Sequence, residues 1–371
     1  MNNLHIINDE KFVDDLIDNY EKAYPNKNRY IIVLFNANQE VRFVKQKNKV
    51  ELVYYKLLIS HIKNTGDQKQ AFFIHGLDRI KLKLLQSFRN YEKIIVHFWG
   101  ADIYLLPKFK GKLLLPHTQK VFDRITSFFY RLKENYRGYY YHYKYKKLLK
   151  KVAFYSTVIP TEKKYIEGYL PNARYVHFNY VDIETLRLKN FKVNNEATDI
   201  LIGNSSSFTS NHIEVFNEIE KIKTFDPVKK IVPINYGNNT YAKELTDYLE
   251  NNNLRNYVPL TEFLPPEEYV KILSNCSIAI MNHQRQQAVG NIIICLWLGM
   301  RVFLSENNPV FNYFKNKGIA VFSIESEFEE GFEFKGLKQE EIKTNIDFLS
   351  SIYSKTMTIE HINKIVKLVH E

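Results

Sequence analysis

Twelve short apolar runs, separated by longer segments with helical spacing of apolar residues, constrain the fold of this chain more than any other feature. In the first half they are LHII (4–7), YIIVLF (30–35), AFFIHG (71–76), KIIVHFWG (93–100), VAFYSTV (152–158) and RYVHFN (174–179). In the second half they are DILIGN (199–204), KKIVPINY (229–236), NYVPL (256–260), SIAIMN (277–282), RVFLS (301–305) and IAVFSI (319–324). A strand that is apolar on both faces must be covered on both, so strands of this kind alternating with helices predict parallel sheets sandwiched by helices. Six such units in each half of 371 residues predict an α/β chain of two doubly wound domains. The polar stretch LRLKNFKVNNEATD (186–199) reads as the linker, and the residues from about Glu340 onward as helices that pack back on the first domain.

Composition excludes several classes. Only Cys276 and Cys295 occur, both in apolar segments, which argues against a disulfide scaffold or a zinc site and fits a reducing cytoplasm. The N-terminal MNNLHIINDEKF lacks the basic and apolar regions of a secretory signal, and NIIICLWLGM, the longest apolar candidate, is too short to span a bilayer. The excess of positive charge is local. Between Lys108 and Lys151 lie thirteen Lys or Arg against Asp123 and Glu134, an excess equal to the +11 of the whole chain, together with seven Tyr and four Phe. Basic residues interleaved with aromatics suit an anionic membrane surface, and also single-stranded nucleic acid or a plain solvated helix face.

In open parallel sheets ligands bind beyond the carboxyl ends of the strands, so the strand-end loops are where chemistry is sought. IGNSSSFTSN (202–211) ends a strand at Gly203 and passes through Asn204 and Ser205 into a helix, the way backbone N–H groups are aimed at a phosphate; a Ser-rich capped turn would look the same. RQQAVGN sets Arg285, Gln286 and Gln287 ahead of Gly290 and Asn291, which open an apolar helix. An Arg fork with a helix N-terminus suits a diphosphate. SENNP offers Glu306 and Asn308 for ribose or sugar hydroxyls, or a simple N-cap. In the first half, HFWGADIY (97–104) crowds His97, Trp99, Asp102 and Tyr104 around one glycine. Desolvation by the aromatics would raise the carboxyl's pKa and make Asp102 a candidate base, with turn capping as its alternative. His75 and His97 end neighbouring strands and could face the same crevice. With no D-x-D, no clustered ligands and no G-x-S-x-G, neither a metal nor serine hydrolase chemistry is expected.

Taken together, HFWGADIY, ILIGNS (200–205) followed by Asn211-His212-Ile213, KKIVPINYG (229–237), RQQAVG (285–290) and Asn308-Pro309 resemble glycosyltransferase family 56, the TDP-N-acetylfucosamine:lipid II N-acetylfucosaminyltransferases, over roughly residues 70–325. The resemblance implies a GT-B fold, two Rossmann-like doubly wound domains facing across a cleft. The first, 1–188, would bind the acceptor and carry the basic aromatic segment 108–151; the second, 198–335, would bind the nucleotide sugar; 336–371 would be C-terminal helices. It implies a metal-independent transfer without a cofactor from a nucleotide-diphosphate sugar, TDP-Fuc4NAc, to a polyprenyl-diphosphate-linked saccharide, with the protein peripheral on the cytoplasmic face of the cell membrane. Donor contacts would come from Gly203, Asn204, Ser205, Tyr236, Arg285, Gln286, Gln287, Gly290, Asn291, Glu306 and Asn308. Acceptor contacts would come from His75, Trp99 and Tyr104, with Asp102 and His97 catalytic. Ser206-Ser207 and Glu306-Asn307 depart from the family pattern within the donor loops. Competing readings are a transferase of the same fold with another nucleotide sugar, a nonhydrolysing nucleotide-sugar epimerase, and a single-strand nucleic-acid binder.

Overall fold

The computed structural model describes residues 2–65, 70–88, 93–328 and 336–371. These form two compact units. The first is built from residues 1–108, 136–182 and 353–371, the second from 109–135 and 183–352.

The first unit carries a parallel sheet of seven strands: β1 (Asn3–Ile7), β2 (Asn28–Leu34), β3 (Val50–Tyr54), β4 (Ala71–His75), β5 (Ile94–His97), β6 (Phe154–Ser156) and β7 (Arg174–Tyr175), in the order β3-β2-β1-β4-β5-β6-β7. β1 and β5 are buried along their whole length, which is why they read as unbroken apolar runs. β3, VELVY, escaped the apolar-run criterion because it lies at the sheet edge and alternates with Glu51, paired there with Arg29 at 2.9 Å. The helix Val13–Ala23 and the last helix, Lys355–His370, cover one face. Val13, Leu16, Ile17 and Tyr20 of the former share a core with Ile362, Ile365, Val366 and Val369 of the latter.

The second unit carries six parallel strands: β8 (Asp199–Ile202), β9 (Lys230–Pro233), β10 (Tyr257–Leu260), β11 (Cys276–Met281), β12 (Arg301–Leu304) and β13 (Val321–Ser323), in the order β10-β9-β8-β11-β12-β13. All six coincide with apolar runs. Both cysteines are buried thiols.

The division of the chain differs from the expected one in three places. Residues 109–135, expected with the first domain, belong to the second unit: the helix Pro116–Ile125 is tied to the helix His212–Ile219 by Thr118, whose N–H and hydroxyl both donate to Glu214 at 2.9 and 2.5 Å. The stretch 186–199 is no free tether. Leu188 is buried, and Val193 packs so closely on Gly299 that a Cβ there would lie 2.9 Å from it. Of the C-terminal helices only Lys355–His370 joins the first unit; Gln339–Ile352 stays with the second, where Asn345 Oδ1 accepts from Ala320 N at 2.9 Å. Residues 329–335, the end of the expected second domain, lie outside the described residues.

Candidate active site

The strand order locates each site before any side chain is considered. In the second unit the strand order, not the strand direction, reverses between β8 and β11, the switch point where open parallel sheets hold their ligand crevice between the loops leaving the strands' carboxyl ends. Those loops are 203–211 and 282–288, two of the motifs singled out above.

Gly203 leaves β8 with φ +66°, and a Cβ on it would stand 2.5 Å from Nε2 of the buried His212. Only glycine meets both demands. The turn delivers Asn204 into a polar knot. Its Nδ2 donates to the Tyr236 hydroxyl at 2.9 Å, while its Oδ1 faces His283 Nε2 at 3.1 Å and accepts from Gln287 Nε2 at 3.2 Å. Burial, with Arg285 second, holds His283 well below the usual histidine range, so the ring is neutral and its Nε2–H can donate to Asn204. Gln287 also takes the Thr209 hydroxyl at 2.5 Å and donates to Ser210 Oγ at 3.4 Å; Arg285 Nε donates to Thr209 Oγ1 at 3.4 Å. Ser205 is buried, its carbonyl accepting from Ser210 Oγ at 3.3 Å, whereas Tyr236 is 42% exposed. Gly203, Asn204, Ser205, Tyr236, Arg285 and Gln287 are therefore brought together.

The helix behind them starts one residue earlier than the sequence suggests, at Val289, and runs to Trp297. Its N-cap is Ala288, held at φ +59°, so the left-handed residue is an alanine and not Gly290. An L-residue there costs about 1–2 kcal/mol, a strain of the kind found at ligand-binding loops. Asn211, at φ +49° ahead of the other loop's helix, repeats the arrangement. Gly290 and Asn291 lie in the helix's first turn, and nothing lies within 4 Å of where a Cβ on Gly290 would be. Gln286 is buried, and its Oε1 has no hydrogen-bond partner.

Beyond β12, Glu306 turns its carboxylate to Ser323 Oγ (2.6 Å) and Ser326 Oγ (3.0 Å), two hydrogen bonds that hold its pKa below the usual range. Asn308 is fully buried, and its Oδ1 accepts from Val310 N at 3.0 Å. Its Oδ1 thus caps the helix Pro309–Lys315, the N-cap alternative for SENNP, while its buried Nδ2 has no hydrogen-bond partner. The exposed amide at this point is Asn307, whose Nδ2 donates at 2.9 Å to the buried Gln284, which donates in turn to Ser305 Oγ at 3.0 Å; neither was singled out from sequence.

In the first unit the strand order reverses between β1 and β4. There Asp102 is buried, its Oδ2 accepting from Leu77 N at 2.8 Å and its Oδ1 from Trp99 N at 3.0 Å. Burial raises its pKa to about 6 against these hydrogen bonds. The carboxylate clasps the loops after β4 and β5 to each other, which corrects the picture of a base open to substrate. His75 and His97 are corrected as well. Both are fully buried and stack face to face at 4.8 Å, with His5 against His75 at 5.3 Å. His75 meets Tyr180 (2.7 Å) and His5 (3.0 Å), and His97 meets Ser156 (2.6 Å). Burial pushes the His97 pKa down to about 3 and the other two well down, so the column is neutral core. Tyr104 is also buried, edge-on to Tyr165. Trp99 is half-buried; its indole lies over Gly76, where a Cβ would stand 2.6 Å from the ring.

Sequence reading missed a charged cluster at these strand ends. Lys81, fully buried on the helix Arg79–Ser87, donates to Asn8 Oδ1 (2.9 Å) and His75 O (2.8 Å) and pairs with Asp78 (3.3 Å). Half-buried Glu10 beside it has its pKa raised by burial, with Lys81 opposing. Helical spacing alone makes Lys81 look like a surface residue; the fold carries it under the loops. Among the described residues, no three His, Cys, Asp or Glu side chains gather as a metal set, and no helix is long and apolar enough to cross a membrane.

Solved structures share this architecture over the whole chain. HepE from Anabaena, in complex with UDP-glucose, superposes with a TM-score of 0.64 at 11% identity, covering 99% of each chain. The N-terminal domain of the Candida albicans trehalose-6-phosphate phosphatase gives 0.62 at 10% identity, covering 99% of this chain and 97% of that one. Apo OtsA gives 0.58 at 9% identity, covering 100% and 96%. At such identities the likeness speaks for the fold, GT-B, and for that alone. Sequence is more specific: residues 170–358 match the model of the 4-alpha-L-fucosyltransferases, glycosyl transferase group 56, a range that takes in both crevice loops of the second unit and the β12 loop and leaves HFWGADIY outside. With half of its length in that match and the fold to go with it, the chain belongs to the 4-alpha-L-fucosyltransferase family, glycosyl transferase group 56, and is a glycosyltransferase.

Proposed function

We propose that this enzyme transfers a 4-acetamido-4,6-dideoxyhexose from a nucleotide-diphosphate donor, TDP-Fuc4NAc, to an undecaprenyl-diphosphate-linked saccharide during assembly of a bacterial surface polysaccharide, working peripherally on the cytoplasmic face of the cell membrane. The observation that carries this reading is the crevice between β8 and β11. Arg285, the Asn204–Gln287–Thr209 knot and the N-terminus of the helix Val289–Trp297 converge there, inside the range matched by the family. Breaking a glycosidic bond to a diphosphate puts negative charge on the departing oxygen. A guanidinium and oriented backbone N–H groups stabilise that charge where it develops. Anabaena HepE, of the same fold, holds UDP-glucose.

In the first unit, Trp99 offers the acceptor sugar an apolar face, and Asp102 is a positioning residue that fixes the Trp99 loop through its two backbone hydrogen bonds. Glu10, beside Lys81 at the end of β1, is the carboxylate we assign to the proton of the attacking hydroxyl. The test is a thermal-shift screen of the purified protein against TDP, UDP, GDP, CMP and ADP, since a ligand that binds only the native state raises the midpoint by mass action. Selective stabilisation by TDP is expected. Selective stabilisation by UDP or GDP would reassign the donor, and no response to any nucleotide would refute the crevice.

A further inference from the structure

The helix Phe128–Leu148 has two faces with different tasks. Gly138, Tyr141, Tyr145 and Leu148, at steps of three, four and three, are buried. Gly138 passes so close to the Leu105 carbonyl that a Cβ would lie 2.6 Å from it, and the Tyr145 hydroxyl donates to Asp102 O at 3.0 Å. This inner face seats the helix on the loop that holds Trp99.

The outer face runs the other way around the same helix. Phe129, Leu132, Tyr136, Tyr139 and Tyr143 recur at steps of three, four, three and four, so all five line one stripe. All are exposed, Phe129 at 80% and Tyr136 at 73%. At 1.5 Å per residue the stripe from Phe129 to Tyr143 runs about 21 Å along the helix, facing solvent. Exposed Lys133, Lys146 and Lys147 flank it, and from Phe128 to Leu148 the only acid is Glu134.

We infer that this outer stripe is the surface by which the protein lies on anionic lipid, with the aromatic and apolar side chains in the headgroup boundary and the lysines against lipid phosphates. Charge decides between the possible occupants. The heptad spacing would also suit a second copy, but two such faces would bring like charges together, and interhelical pairing needs opposite ones. Nucleic acid would satisfy the lysines and stack on the tyrosines and Phe129, yet offers nothing to Leu132, an exposed aliphatic side chain that neither stacks on a base nor hydrogen-bonds. A lipid surface satisfies both halves of the pattern. The inference rests on the lipid-linked acceptor proposed above, because the same helix grips the Trp99 loop with its inner face.

The experiment is sedimentation of the full chain with phosphatidylcholine vesicles, with and without phosphatidylglycerol, in the absence of donor and acceptor. Two variants are compared, Lys133→Gln/Lys146→Gln/Lys147→Gln and Phe129→Ser/Tyr136→Ser/Tyr143→Ser, each checked for a native melting transition. We expect binding only to vesicles containing phosphatidylglycerol. The charge variant should partition roughly 100-fold more weakly, about fivefold per basic residue, and the stripe variant at least about tenfold more weakly. Both should keep transfer to a water-soluble acceptor saccharide. Wild-type binding in either variant, no preference for anionic vesicles, displacement by an oligonucleotide, or a wild-type dimer that the stripe variant abolishes would each overturn the inference. Vesicle binding without any sugar transfer would refute the proposed reaction and leave the surface standing.

Discussion

Replacing Gly203 by alanine tests whether the β8 turn is built as described. The added methyl meets two separate penalties. Holding an L-residue near φ +66° costs about 1–2 kcal/mol. Driving a Cβ to within 2.5 Å of His212 Nε2, in a ring that is fully buried, adds the roughly 1–3 kcal/mol of an overpacked core. Gly203→Ala should therefore destabilise the second unit by about 2–5 kcal/mol. The two parts can be separated, because only the second depends on His212. In a double-mutant cycle with His212→Ala, about 1–3 kcal/mol should return as coupling, while the backbone part persists. The chain supplies its own probe: its two tryptophans lie one in each unit, so Trp297 in a Trp99→Phe background follows urea unfolding of the second unit alone. A loss below about 1 kcal/mol, or coupling below about 0.5 kcal/mol, would refute the reasoning. A displaced turn should also move Asn204, so the nucleotide-induced thermal shift should shrink in step.

Two further outcomes are expected. Arg285→Ala should lower turnover at least about 100-fold, on the order of 3 kcal/mol of transition-state stabilisation, measured with the donor selected by the thermal-shift screen; a folded variant with near-normal turnover would remove Arg285 from the leaving-group site. The first unit should lose stability in acid. The His97 pKa lies near 3 in the folded state against an ordinary 6.5, so between these values the unfolded state binds more protons and stability falls as pH falls. At pH 4.5 the loss from His97 alone is about 3 kcal/mol. The rise of the Asp102 pKa to about 6 acts the other way, favouring the folded state toward lower pH, but the lowered pKa values of His5 and His75 act in the same direction as that of His97. Trp99 fluorescence in a Trp297→Phe background should show a falling urea midpoint from pH 7 to 4.5, with a shallower fall in His97→Gln, where His5 and His75 supply what remains. A flat wild-type profile would refute it.

Twelve of the thirteen strands fall on apolar runs, the inner ones because burial on both faces leaves such a run and the edge strands β7 and β10 although they are only partly covered; the missing one, β3, is an edge strand that carries Glu51. Strand-end loops were equally legible, since Gly203 and the Arg285 run announce themselves by residue type. Which side chains those loops expose was not. Histidines at the ends of β4 and β5 look the same in sequence whether they point at a crevice or into a core, and only the sheet register, which pairs His75 with His97, shows that they stack inward. Asn308 and Asp102 have the same difficulty, because a capping carbonyl or a turn-clasping carboxylate is the residue type a ligand contact would use. The left-handed Ala288 and the buried Lys81 carry no residue-level signal at all.

The return of the helix Lys355–His370 to the first unit bears on how the chain is made. Strand β1 leaves the ribosome long before the last helix, yet the core over it stays open until Ile362, Ile365, Val366 and Val369 have emerged. The second unit, apart from residues 109–135, is continuous from 183 to 352 and is complete before that. Synthesis from the N-terminus would ordinarily let the first domain fold first. Here the second unit can close while the first still exposes an apolar face, so the first unit is the vulnerable part of the nascent protein, and a nick near residue 354 would reopen its core while sparing the second unit.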